Sequence, residues 1–239
     1  MTRINLNPKR CQAGWSLVEL SVVVGIVLVL VTMISPMMNK ANLAATKTKD
    51  LANLRQMATA VLAYTAEHNN ALPGPVNRSV KYPTAITPNT ATERKKWLST
   101  LLIDQGYCDS QNTIWKSPST YGANIADLSY ILNNTDFSVP QNFFGDRSGA
   151  TKDPETLMSL FANKDTAHGG TGTRDLLSQI WMASNADGLN YGTAASSDSA
   201  YKVPDSLRTP WNGRNYVFFD GHGEFRSAKN YPANYPSVN

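Results

Sequence analysis

The chain has 239 residues, 41% hydrophobic and 17% charged. That is enough for one medium domain plus an appendage, and too apolar for disorder throughout. Its net charge of +4 is concentrated at the start, where Arg3, Lys9 and Arg10 stand without an acid. Without those three the basic and acidic groups nearly balance, so a nucleic-acid footprint on a basic face loses its main support and no nucleic-acid partner is expected. Cys11 and Cys108 are the only cysteines, too few and too far apart in kind to make a disulfide framework. Cys11 does not read as a lipoprotein cysteine either, because Pro8-Lys9-Arg10 precedes it where an apolar run belongs.

Residues 1–14 form a short basic leader. Leu20 to Met38 follows without a single charge, long enough to cross a hydrocarbon core of roughly 30 Å. The leader's cations hold the N-terminus in the cytoplasm and send the residues after Met38 outward. A cleaved secretory signal would need a small-x-small site after the apolar run, and Ile34-Ser35-Pro36-Met37-Met38 offers none. A plain anchor does not account for Glu19. A carboxylate at the edge of such a span costs roughly 2.5 kcal/mol or more if drawn to depth, which makes it a functional candidate in need of a partner. An α-amino group created by a cut between Gly14 and Trp15 is the natural one.

Ala13-Gly14-Trp15-Ser16-Leu17-Val18-Glu19-Leu20 resembles the prepilin peptidase recognition site of type IV pilins and type II secretion pseudopilins. Trp15 stands where the family usually has Phe. The resemblance implies cleavage after Gly14, N-methylation of Trp15, and a role in assembly for Glu19, paired with the Trp15 amine of a neighbouring subunit. It implies a helix-kinking proline, here Pro36, and an α+β, pilin-like fold. In that fold the transmembrane first half of a long helix (15–38) leads into an amphipathic half (39–70), which packs on the small antiparallel sheet of a head domain (71–239). The implied function is that of a pseudopilin, a structural subunit of a type II secretion-like filament and not an enzyme. The alternatives are a type IV pilus pilin serving adhesion, motility or DNA uptake, or an exported protein of other function on a membrane anchor. Implied partners are prepilin peptidase, other pilin-like subunits, an inner-membrane assembly platform and membrane lipid. The implied location is the bacterial inner membrane, single-pass, with the head periplasmic until a periplasmic or extracellular filament forms.

Beyond the span, Leu43, Leu51, Leu54, Ala58, Val61, Leu62 and Thr65 recur at helical steps, with Lys40, Lys47, Lys49, Asp50 and Arg55 at other positions. The pattern predicts one helix from about Leu17 to Glu67, kinked near Pro36 and ended at Asn69-Asn70, with Pro73-Gly74-Pro75 preventing its resumption. Asn53-Leu54-Arg55-Gln56-Met57, then Tyr64, Glu67, Asn69, Leu72 and Pro73, is similar to a pseudopilin-like subfamily of environmental bacteria.

Thr90-Ala91-Thr92-Glu93 is a capping-box pattern opening a short helix with Trp97, Leu98, Leu101 and Leu102 on one face and Gly106 at its end. Arg94-Lys95-Lys96 reads as the solvated face of that helix. Leu128–Leu132 and Ile180–Ala183 read as strands, and Asp153-Pro154-Glu155 as a helix start.

Near the C-terminus, Asp220-Gly221 between aromatic and β-branched runs predicts a hairpin over 215–226 with a two-residue type I′ turn. The segment Asn215 to His222 resembles the Asn-x-hydrophobic-Phe-x-Asp-Gly-His motif of the same subfamily, in which a His often lies ten residues before the Asp. Here that position is Pro210. Asp220, His222 and His168 make a hydrolytic or metal centre on paper, but no spacing fixes their geometry, so Asp220-Gly221-His222 reads as a turn. Asn185-Ala186-Asp187-Gly188-Leu189-Asn190 alternates oxygen ligands but lacks the bidentate Glu of a calcium loop. Calcium, held by some pseudopilin heads, is the one ligand the resemblance suggests.

Overall fold

The computed structural model describes residues 15–77, 79–86, 88–109, 113–118, 128–133, 143–145, 153–154, 156–157, 177–186 and 209–227, with backbone only at 35, 36, 128 and 179. The expected leader with Gly14, and also His168, Glu155 and Asp187–Asn190, lie outside the described residues. The chain divides into two units, Met1–Asn42 and Leu43–Asn239.

The first unit contributes the start of helix α1 (Leu17–Glu67), which is helical through position 36. Val22, Val23, Val24, Ile26, Val27 and Leu28 are all exposed, so this stretch is apolar on every side. It is long and apolar enough to cross a membrane. A helix meets all its backbone hydrogen bonds internally, as hydrocarbon requires. The side-chain hydroxyls do likewise: Ser21 Oγ donates to the carbonyls of Leu17 (3.1 Å) and Val18 (2.9 Å), and Thr32 Oγ1 to that of Val29 (2.8 Å).

In the second unit α1 faces an antiparallel sheet that has five strands among the described residues: β1 (Ser79–Lys81), β2 (Leu128–Leu132), β3 (Trp181–Asn185), β4 (Gly213–Phe218) and β5 (Gly223–Ser227), in that spatial order. The fold is therefore α+β. Leu54, Met57, Ala58 and Val61 of α1 share one core with Tyr130, Leu132, Met182, Ala183, Val217 and Phe219. Each large side chain buried there contributes about 1.5–3 kcal/mol. A smaller cluster of Ile131, Trp181, Tyr216 and Phe218 is separate from it, as side-chain alternation along β2 and β4 requires. Met182 and Ala183 both join the main core although adjacent. The register shift between Trp181 and Ala183 is a bulge that turns two successive side chains the same way.

The buried stripe of α1 differs in part from the expected one. Leu54, Ala58, Val61 and Thr65 are buried, but Leu43 is exposed and Asp50, outside the expected stripe, is fully buried. The helix ends as expected, at Asn69 and Asn70, whose φ values of 54° and 62° suit asparagine, one of the few non-glycine residues enriched in the left-handed conformation.

The helix predicted after Thr90 is two. Thr90 Oγ1 accepts from the Glu93 N–H (3.3 Å) to cap α2 (Ala91–Arg94), and Trp97 then turns extended and starts α3 (Leu98–Asp104). Burying the Trp97 indole is what interrupts the helix. Gly106, at φ 83°, closes α3 with the paired bonds of a Schellman end, Tyr107 N–H to Leu102 C=O (2.9 Å) and Gly106 N–H to Ile103 C=O (3.0 Å). Within the basic triplet, Arg94 binds Asp104 through two nitrogens and Lys96 binds Glu93.

Candidate functional site

Three groups of polar side chains carry chemistry: the start of α1, a buried carboxylate on its second half, and the hairpin.

At the start of α1, Ser16-Leu17-Val18-Glu19 forms a capping box, a serine at the helix N-cap with a glutamate three residues on. Glu19 Oε2 accepts from the Ser16 N–H at 2.9 Å, while Ser16 Oγ accepts from the Val18 N–H at 3.3 Å. The Ser16 carbonyl takes the Leu20 N–H at 3.1 Å. Glu19 thus has a partner within its own chain, and its charge lies at the positive end of the helix dipole. The Ser-x-x-Glu spacing was there to be read in the sequence. Trp15, one residue before the cap, is 75% exposed.

On the second half of α1, Asp50 is fully buried and saturated. Its Oδ1 accepts from the Tyr130 hydroxyl on β2 (3.0 Å) and from the Ser117 hydroxyl; its Oδ2 accepts from Asn185 Nδ2 on β3 (2.8 Å) and Asn215 Nδ2 on β4 (2.7 Å). The two asparagines also brace the sheet: Asn185 Oδ1 accepts from the Asn215 N–H at 2.8 Å, and Asn215 Nδ2 donates to the Lys47 carbonyl at 3.1 Å. Asn53, one turn along, donates to the Lys116 carbonyl at 3.2 Å. Burial pushes the Asp50 carboxyl above its ordinary range, and the four donors pull against that rise without cancelling it. The Tyr130 hydroxyl is driven well above its usual value by burial and by the neighbouring Asp50 charge. Asn185, the first residue of the segment with alternating oxygen ligands, faces this interior node.

The hairpin joins β4 to β5. Of its turn residues only Gly221 has positive φ (86°), so the expected type I′ turn is not the one adopted. The Gly221 N–H donates to the Phe218 carbonyl and the Phe218 N–H to the His222 carbonyl, both at 2.9 Å. That is a three-residue loop, Phe219-Asp220-Gly221, with the glycine in the left-handed position. The extra residue is Phe219, drawn into the core against Phe143 and Phe144. Asp220 Oδ1 caps the turn, accepting from the His222 N–H (3.0 Å) and lying 2.6 Å from His222 Nδ1. The imidazole stacks on Phe218, ring centres 4.3 Å apart. The dyad is largely exposed, and among the described residues no group of three His, Cys, Asp or Glu converges to hold a metal.

The hairpin lies against α1. Arg55 Nη2 donates to the Gly223 carbonyl (2.9 Å), and Lys47 Nζ sits 3.2 Å from the centre of the Phe225 ring. A Cβ at Gly223 would come within 2.9 Å of Leu51 Cδ1, so the hairpin and the helix approach closely there. Cys108 is half-buried, and burial pushes its thiol up to about 11, which makes it a poor nucleophile. Comparison with protein-family models, with curated proteins and with solved structures found no match to this chain.

Proposed function

We propose that the chain is a type IV pilin-like filament subunit, a pseudopilin of a type II secretion-like system. Prepilin peptidase cuts it between Gly14 and Trp15 and Trp15 is N-methylated. The observation that carries this reading is the build of α1. Its first part is apolar around its whole circumference, Glu19 stands at its entrance, and its second part is the core helix of the head. A helix of that kind is stored in a bilayer by its first half and withdrawn with it into a bundle of identical helices, while the head stays folded around the second half. In the bilayer Glu19 caps its own helix. In the bundle the Trp15 ammonium of a neighbouring subunit supplies the counter-charge, and removing one member of such a buried pair costs about 3–5 kcal/mol. Prepilin peptidase, neighbouring subunits, an inner-membrane platform and lipid are the partners this implies. The head then lies on the periplasmic side.

Mass spectrometry of the N-terminus from the producing cell tests it. The expected result is a chain starting at Trp15 with one added methyl group. A start at Met1, or one beyond Pro36, overturns the proposal. Glu19→Ala is expected to leave the chain membrane-bound and folded but unable to enter filaments. Retained assembly would remove the role given to the carboxylate.

A further inference from the structure

Asp50 is a single carboxylate taken wholly out of water, with no ion pair among the described residues, and its two oxygens meet donors of different kinds. Oδ2 faces two amide nitrogens, of Asn185 and Asn215, which only donate. Oδ1 faces two hydroxyls, of Ser117 and Tyr130, which rotate and either donate or accept. The node therefore accommodates two protonation states without moving a heavy atom. With the carboxylate charged, all four neighbours donate. With a proton on Oδ1, that O–H donates to one hydroxyl, the hydroxyl turns to accept it, and Oδ2 keeps both amides.

Among the described residues, the charged groups around the node do not hold the anion. On α1 itself, Lys47 has its ammonium over the Phe225 ring and offers only its carbonyl to Asn215. Lys116, beside Ser117, is exposed and accepts from Asn53 through its carbonyl. From β2 the only titratable group is the Tyr130 phenol. β3 and β4 present neutral asparagines, while Arg214 is two residues from Tyr216 on the same side of its strand and reaches that hydroxyl (3.5 Å). From β5, Phe225 alone pairs with Asn215.

We propose that Asp50 with Ser117, Tyr130, Asn185 and Asn215 is a built proton-binding site that makes the attachment of α1 to the sheet sensitive to pH. It stands independently of the filament reading. The upward displacement of the Asp50 carboxyl agrees in direction. The sign follows: the folded head binds this proton more tightly than the unfolded chain does. The stabilisation is complete below the ordinary aspartate range and is lost as pH rises through the folded-state value.

Asp50→Asn is the matched probe, since its amide oxygen replaces Oδ2 and its NH2 replaces the protonated Oδ1. Thermal or denaturant unfolding of the full chain in detergent is measured from pH 4 to 9, for wild type and D50N. The wild type is expected to lose stability relative to D50N as pH rises, with the folding equilibrium changing by up to about tenfold per pH unit within the window. A constant offset between the two, or a wild type that gains on D50N with rising pH, overturns the proposal. If D50N does not fold, carbon NMR of the aspartate-labelled wild type decides. One carboxyl titrating well above the rest, and displaced in Tyr130→Phe, supports the site; aspartates that all titrate together refute it.

Discussion

Replacing Asn185 by Ala removes two interactions at once, and their sizes can be set out separately. The Asn185 amide donates to Asp50 Oδ2, and its carbonyl accepts the Asn215 N–H where the β3–β4 ladder has ended at Ser184 and Tyr216. A buried hydrogen bond is worth about 0.5–1.5 kcal/mol, or about 1.5–3 kcal/mol where its acceptor is charged, and a buried backbone N–H left without a partner costs about 1–3 kcal/mol. Partial relaxation around the new gap lowers the sum, so a loss of about 3 kcal/mol is expected at neutral pH. For a domain of this size that corresponds to a fall in Tm of roughly 6–12 °C. Near-UV circular dichroism of the full chain in detergent measures it, with Asp104→Ala, on an exposed ion pair, as the control expected to shift little. Added calcium is expected to leave the wild-type Tm unchanged, since Asn185 is engaged inside the head; a ligand bound there would raise it. A change below about 0.5 kcal/mol for N185A, no larger than that of an ordinary surface substitution, would refute the idea that the node fastens α1 to the sheet.

Gly221→Ala tests the turn. The added methyl would rest at 3.5 Å from Leu62 Cδ1, so there is room, and the cost is that of φ +86°, about 1–2 kcal/mol; a neutral result in denaturant unfolding would contradict the left-handed assignment. Alkylation of Cys108, followed by peptide mapping, is expected to run roughly a hundredfold slower at pH 8 than for a free thiol and to rise only toward pH 11, because burial disfavours the thiolate. Labelling at the rate of an unfolded control would show that the thiol is more open than described.

The parts of this protein readable from its sequence are those with a local cause. The bounds of α1, its Asn69-Asn70 stop, the Thr90 cap, the Gly106 stop and strand β2 all depend on residues within a few positions of one another. What escaped depends on partners far along the chain. Asp50 looks like a solvent-side residue until Asn185 and Asn215 arrive from 135 and 165 residues away. β1 is only three residues long and has no alternation to announce it. Trp97 and Phe219 each shifted a boundary by one step, because burying an aromatic outweighed the local preference for a continuous helix in one case and a tighter turn in the other. The capping role of Glu19 is different, since the Ser16-x-x-Glu19 spacing that produces it is local.

In the sheet, each strand pairs with the next one in sequence, from β1 to β5. A meander of this kind asks nothing of the length of chain between consecutive strands beyond closing the loop, and each doubling of a flexible loop adds only about 0.6 kcal/mol. Apart from Phe143 and Phe144, which pack in the core, and the buried Thr209 beside β4, the stretches between β2 and β3 and between β3 and β4 are thus free to lengthen, shorten or change composition over evolution. The node, the hairpin and the grip on the helix would all be kept. One scaffold can in that way display many different faces.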